Sequence, residues 1–130
     1  MSDTSRNSVI ALVDDEPSVL SAVGRLLRSH NFQCLAYSSA ESALADPELF
    51  RAQCHILDIQ LPGMDGFELR DQIRVAGWNI PCLFMTAHFE EGSSEWNRRI
   101  GDTPYLLKPF DERQLITTID RLLGESVEPL

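Results

Sequence analysis

The chain has 130 residues, of which 43% are hydrophobic, so it suits one packed domain and is too apolar for a disordered chain. No window approaches the ~18 continuous apolar residues of a membrane helix, and Met1 to Ser8 lack the apolar stretch of a signal peptide, so the chain reads as cytoplasmic. A net charge of −9 mainly serves solubility, argues against direct nucleic-acid binding, and suits a metal ion or a basic partner.

Five short apolar runs punctuate the chain: Val9 to Val13, Cys34 to Tyr37, Cys54 to Leu57, Cys82 to Met85 and Tyr105 to Leu107. Each reads as a strand buried on both faces, as in a parallel sheet. After the first, Val19, Leu20, Val23, Leu26 and Leu27 share one helical face, and Pro17 suits the first turn. Ser38 and Glu41 have capping-box spacing for a second helix through Ala40, Ala43 and Leu44. A third runs from about Asp65 to Ala76, with Leu69, Ile73 and Ala76 on one stripe and Gly77 as a stop. From Glu90 to Gly101 only Trp96 and Ile100 fall at helical spacing, which predicts a short, mobile helix. A last helix spans about Asp111 to Leu123, with Asp111 and Gln114 as its capping box and Gly124 as its end. Cys34, Cys54 and Cys82 stand far apart and read as buried free thiols, with no disulfide framework or zinc site.

Strands alternating with helices predict a doubly wound α/β sheet. Right-handed crossovers put helices on both faces and ligands beyond the carboxyl ends of the strands. Four of those ends are polar: Asp14-Asp15-Glu16, then Asp58, then Thr86-Ala87, then Lys108-Pro109. Clustered carboxylates repel one another, and a hard cation such as Mg2+ relieves the repulsion while leaving room for a phosphoryl oxygen. A carboxylate also attacks phosphorus to form an aspartyl phosphate, whose oxygens need cationic and hydroxyl partners. Asp58, alone at the central strand's end, is the natural nucleophile; Asp14 and Asp15 suit the metal, and Thr86 and Lys108 suit the phosphoryl group. A lone aspartate after a strand also serves as an Asx turn or helix N-cap, and a Lys-Pro as a plain loop start. The functional reading rests on all four ends carrying the needed chemistry together.

Four ordered motifs resemble bacterial response-regulator receivers: Val13-Asp14-Asp15-Glu16-Pro17, Leu57 to Gly66, Met85-Thr86-Ala87 and Tyr105-Leu106-Leu107-Lys108-Pro109-Phe110. The resemblance implies a five-stranded flavodoxin-like fold, order 2-1-3-4-5, over residues 8–124, between a disordered tail at 1–7 and another at 125–130. It implies phosphorylation of Asp58 by a sensor histidine kinase or phosphotransfer protein. Asp15, Asp58 and the Gln60 backbone carbonyl would hold Mg2+ directly, and Asp14 through water. The amides of Gln60 and Ala87 would join Thr86 and Lys108 at the phosphoryl group. The Lys108-Pro109 bond would be cis. Thr86 and Tyr105 would move as the switch and change partner binding through the fourth helix, fifth strand and fifth helix. For Tyr105 a plain strand aromatic is an equal reading. Gln60 and His88 stand where phosphoryl lifetime is tuned in this family, although His88 also reads as an exposed loop residue. His30 and His55 read as structural. Gly101-Asp102-Thr103-Pro104 departs from the small pair usual before the fifth strand, which puts the output-face geometry in question.

Three other readings are weaker. A haloacid dehalogenase-type phosphatase needs an acid–base Asp where Gln60 stands. A flavin or nucleotide module needs a glycine-rich first turn, and here that turn is acidic. A degenerate docking receiver would lack part of the chemical set. The sequence carries no output domain after the last helix, which favours a single-domain regulator with a downstream target over a piece of a longer one. A homodimer through the fourth helix and fifth strand also fits.

Overall fold

The computed structural model describes residues 7–88 and 94–126. Five parallel strands, β1 (Val9–Val13), β2 (Gln33–Tyr37), β3 (Cys54–Asp58), β4 (Cys82–Thr86) and β5 (Tyr105–Leu107), form one sheet in the order β2-β1-β3-β4-β5. The helices are α1 (Pro17–Ser29), α2 (Ala40–Leu44), α3 (Gly66–Val75), α4 (Ser94–Ile100) and α5 (Glu112–Ser126). This is the flavodoxin-like α/β fold expected from the resemblance.

Strand alternation sends side chains to two cores. Ala11, Val13, Leu57 and Phe84 meet α2, α3 and α4 through Ala43, Phe67, Ile73 and Ile100. Ile10, Leu12, Ile56 and Met85 meet α1 and α5 through Val23, Leu27, Leu115 and Ile119. Each such fully buried aliphatic or aromatic side chain contributes about 1.5–3 kcal/mol. The central strands β1, β3 and β4 are buried on both faces, as expected. The edge strands correct that expectation: β2 and β5 each keep exposed positions, because each has only one neighbouring strand.

Local chemistry fixes the helix ends. Pro17 opens α1, and Asn31, at φ 69, ends it with its amide on the Arg28 carbonyl and that of Phe32 on the Leu27 carbonyl. Asp65 and Glu68 form a reciprocal capping box on α3, and Gly77, at φ 98, closes it where a side chain would be strained. Asp111 and Gln114 cap α5 as predicted.

Three expectations need correction. The N-cap of α2 is Ser39, not Ser38; its oxygen accepts from the Ser42 amide, which leaves Glu41 to reach elsewhere. Gly124 does not end α5, which continues to Ser126. Cys34 is only partly buried, whereas Cys54 and Cys82 are buried free thiols. A 3-10 turn at Pro47–Arg51 has no counterpart in the sequence reading. The predicted fourth helix is present at Ser94–Ile100, and residues 90–93 of the segment expected to be mobile lie outside the described residues.

Candidate functional site

The parallel register brings the carboxyl ends of the strands together. Val13 pairs with Leu57, Asp58 with Met85, and Thr86 with Leu107. The residues that follow therefore converge at one edge. Carboxylate oxygens of Asp14, Asp15 and Asp58 all lie within 4.8 Å of one another. Asp14 is fully buried, Asp58 is 4% exposed, and Asp15 is open to solvent.

Asp14 and Asp58 are held alike. Asp14 Oδ1 accepts the Glu16 amide at 2.8 Å, and Asp58 Oδ1 accepts the Gln60 amide at 3.1 Å. These are Asx turns, so the local reading and the functional one describe the same atoms. The second oxygen of each faces Lys108, whose Nζ lies 2.7 Å from Asp14 Oδ2 and 3.2 Å from Asp58 Oδ2. Glu16 Oε1 completes the set at 3.4 Å, giving three acceptors for three ammonium hydrogens. The Lys108-Pro109 peptide is cis.

Burial raises the Asp58 pKa to about 6; the Gln60 amide opposes the rise, the Asp14 charge adds to it, and Lys108 opposes it. For Lys108, burial works against the charge, but the bonds and charges of Asp14 and Asp58 prevail and raise its pKa. Three carboxylates thus share one ammonium, and Asp15 adds a fourth beside Asp14 and Asp58. That surplus of hard oxygen ligands beside a half-open edge fits a divalent cation such as Mg2+.

Thr86 is buried at the end of β4, but its hydroxyl is not bonded to Asp58. It lies 2.8 Å from the His88 carbonyl and 3.2 Å from Gln60 Oε1, and it accepts the His88 amide at 3.2 Å. The side chains of Gln60 and His88 are exposed. Tyr105 lies outside this cluster, 39% exposed on the outer side of β5. Ala87 borders an apolar groove beside Lys108, lined also by Val19, Ala22, Pro109 and Phe110.

The sequence reading gave Glu16 no partner and Glu41 only a capping-box role on the second helix. Glu16 was visible in the acidic run, but its bond to Lys108 depends on the fold. Glu41 Oε2 accepts the Met64 amide at 3.0 Å and so ties α2 to the loop that carries Gln60. Gly66 matters for its lack of a side chain: a Cβ there would lie 2.4 Å from the Asp58 carbonyl oxygen. Bare backbone at that point lets α3 begin directly against the end of β3. His30 and His55 are both structural in their contacts. His30 bonds Glu112 at 2.7 Å, linking α1 to α5, and buried His55 bonds the Leu49 carbonyl at 3.0 Å.

Fold and site together define an α/β signalling domain with an acidic pocket at the carboxyl edge of its sheet. Residues 10–120 match the profile of the response regulator receiver domain, and the chain belongs to that family of phosphoacceptor domains in two-component signalling. It is 34% identical over 119 residues to the response regulator protein TodT of Pseudomonas putida, covering 92% of this chain and 52% of that protein. It is 29% identical over 117 residues to the protein PilH of Pseudomonas aeruginosa, covering 88% of this chain and 97% of PilH. A response regulator receiver protein from Burkholderia phymatum superposes with a TM-score of 0.76 at 37% identity, covering 91% of this chain and 96% of that one. The chain thus spans about half the length of TodT and nearly all of PilH. No described helix is long and apolar enough to cross a membrane.

Proposed function

We propose that the chain is a Mg2+-dependent switch in a phosphorelay, phosphorylated on Asp58 by a sensor histidine kinase or phosphotransfer protein in the cytoplasm. The observation that carries this reading is the shared grip on Asp14 and Asp58: each gives one oxygen to a local amide and the other to Lys108. The carboxylates are thereby aimed and partly neutralised before any donor arrives.

Asp14, Asp15, Asp58 and the Gln60 backbone carbonyl would hold the metal. Bound there, Mg2+ supplies positive charge against the phosphoryl oxygens. An Asp58 oxygen attacks phosphorus and forms the new O–P bond. The P–N bond to the donor imidazole breaks, and its electron pair stays on that nitrogen. Lys108 then exchanges its contact with Asp58 Oδ2 for a phosphoryl oxygen, joined by the amides of Gln60 and Ala87. The apolar groove of Val19, Ala22, Pro109 and Phe110 suits an apolar helix face of the donor. Hydrolysis by water later restores the carboxylate, and Gln60 and His88 flank its approach and tune the lifetime.

Transfer of the Thr86 hydroxyl from the His88 carbonyl to the phosphoryl group would draw the β4–α4 loop inward. Tyr105 would follow, and the surface of α4, β5 and α5 would change its affinity for a downstream protein, an output domain or a second copy. Incubation with acetyl phosphate and Mg2+, followed by intact mass, tests the chemistry. The expected result is one phosphoryl adduct that is lost in Asp58→Ala and without metal. An adduct that persists in Asp58→Ala would move the acceptor elsewhere.

A further inference from the structure

A buried cation lies away from the phosphoryl site. Arg70, on α3, is 8% exposed. Its Nη2 donates to the Arg99 carbonyl oxygen at 2.7 Å and its Nη1 to Thr103 Oγ1 at 3.2 Å. The guanidinium carbon lies 5.0 Å from the Phe84 ring centre and 5.8 Å from that of Phe67. Nε is buried without a hydrogen bond, and the Asp71 carboxylate is 3.7 Å away. Burying a charge is costly, and an aliphatic side chain would fill this space more cheaply. What the guanidinium holds accounts for its presence.

The Arg99 carbonyl belongs to the last turn of α4, where carbonyls lack helical partners and the helix dipole is negative. The seven described residues of α4 are too few to sustain a helix without tertiary contacts. Thr103 lies in the loop leading to β5. Phe84, against the guanidinium, precedes Thr86 by two residues and shares its face of β4, and its register partner on β5 is Tyr105. Arg99 adds a second tie, with its guanidinium 4.7 Å from the Phe67 ring and 3.7 Å from Asp71.

We infer that Arg70 clamps the C-terminal end of α4 and the following loop onto α3, making that end the fixed point about which the α4–β5–α5 surface rearranges. The inference rests on the switch reading above. Hydrogen exchange on the whole chain tests it. In resting Arg70→Met, the amides of residues 100–103 should exchange about tenfold faster than in wild type while β1 is unchanged. Arg70→Lys keeps the charge but loses the fork, so it should fall between the two, and it decides the matter if the Met variant does not fold.

In wild type, beryllofluoride with Mg2+ should alter exchange at residues 94–98 and leave 100–103 as they were. In Arg70→Met both stretches should respond. Exchange at 100–103 that rises only in step with β1, or not at all, overturns the clamp. A wild-type response as large at 100–103 as at 94–98 overturns the fixed point. No wild-type response anywhere in α4 overturns the switch reading itself and, with it, the fixed point, without involving a variant.

Discussion

The Thr86 hydroxyl stands between two acceptors, the His88 carbonyl at 2.8 Å and Gln60 Oε1 at 3.2 Å, and has one proton to give. The residue two places after Asp58 therefore touches the residue proposed to move when Asp58 is phosphorylated. A phosphoryl oxygen would be a third and stronger acceptor. Removing Gln60 from the competition should ease the exchange. In Gln60→Leu, the Thr86 methyl resonance of the resting protein is expected to shift toward its beryllofluoride-bound position, and beryllofluoride should bind severalfold more tightly. Identical resting spectra and affinities would remove Gln60 from the switch.

Asp58 titrates near 6 in the folded protein, against an ordinary value of 3.8. A raised carboxyl pKa means that the fold binds the proton more tightly than the unfolded chain does. Without metal, this group's contribution to stability is favourable below pH ~4 and is lost as pH rises to about 6, on the order of 1–3 kcal/mol in all. Asp58→Asn should therefore be the more stable protein at neutral pH without metal. The gain should vanish at pH 4 and shrink when Mg2+ is added. Urea unfolding across that range checks the sign, and a destabilised Asn variant at neutral pH would contradict it.

Lys108 occupies the carboxylates that a metal would use, at 2.7 Å from Asp14 and 3.2 Å from Asp58. Lys108→Gln removes the competing cation. Its Mg2+ affinity should rise by roughly tenfold, although the metal-free protein loses stability. Calorimetric titration with Mg2+ measures this directly. Weaker binding in the variant would mean that the lysine organises the carboxylates more than it competes for them.

Glu41 reaches from α2 to the Met64 amide, which holds its carboxyl below the ordinary range and fixes the outer arm of the loop bearing Gln60. Glu41→Ala should weaken Mg2+ binding severalfold while leaving the phosphorylation rate at saturating metal near wild type. Glu41→Gln, which keeps an acceptor oxygen, should recover most of the affinity. If Ala and Gln behave alike, the bond to Met64 does not position the loop.

Much of this was legible because a parallel sheet writes itself plainly. Buried strands are short apolar runs, and β1 and β5 fall where those runs do, with the others extending one residue further. The site was legible for the same reason, since parallel strands place their last residues on one edge. What escaped was the detail that neighbours decide. The turn at Pro47–Arg51 is too brief for a period, and its Asp46 cap also takes the Tyr37 hydroxyl, a bond from another element. A run of serines did not reveal which one caps α2. Gly124 looked like a stop, but a glycine halts a helix only where the backbone turns left-handed. The resting direction of Thr86 and the clamp by Arg70 depend on contacts 26 to 33 residues away in sequence.

The bare Cα of Gly66 bears on how the proposed phosphoacceptor, Asp58, can be altered. Its missing Cβ would meet the Asp58 carbonyl oxygen at 2.4 Å and the Ile59 Cα at 3.0 Å. Both are backbone atoms that cannot turn aside. Even a methyl group at position 66 would push the strand end and the helix start apart from behind, and so move the carboxylate without changing its chemistry. A residue with no functional group thereby sets how far the Asp58 side chain projects from the end of β3, through backbone contact alone.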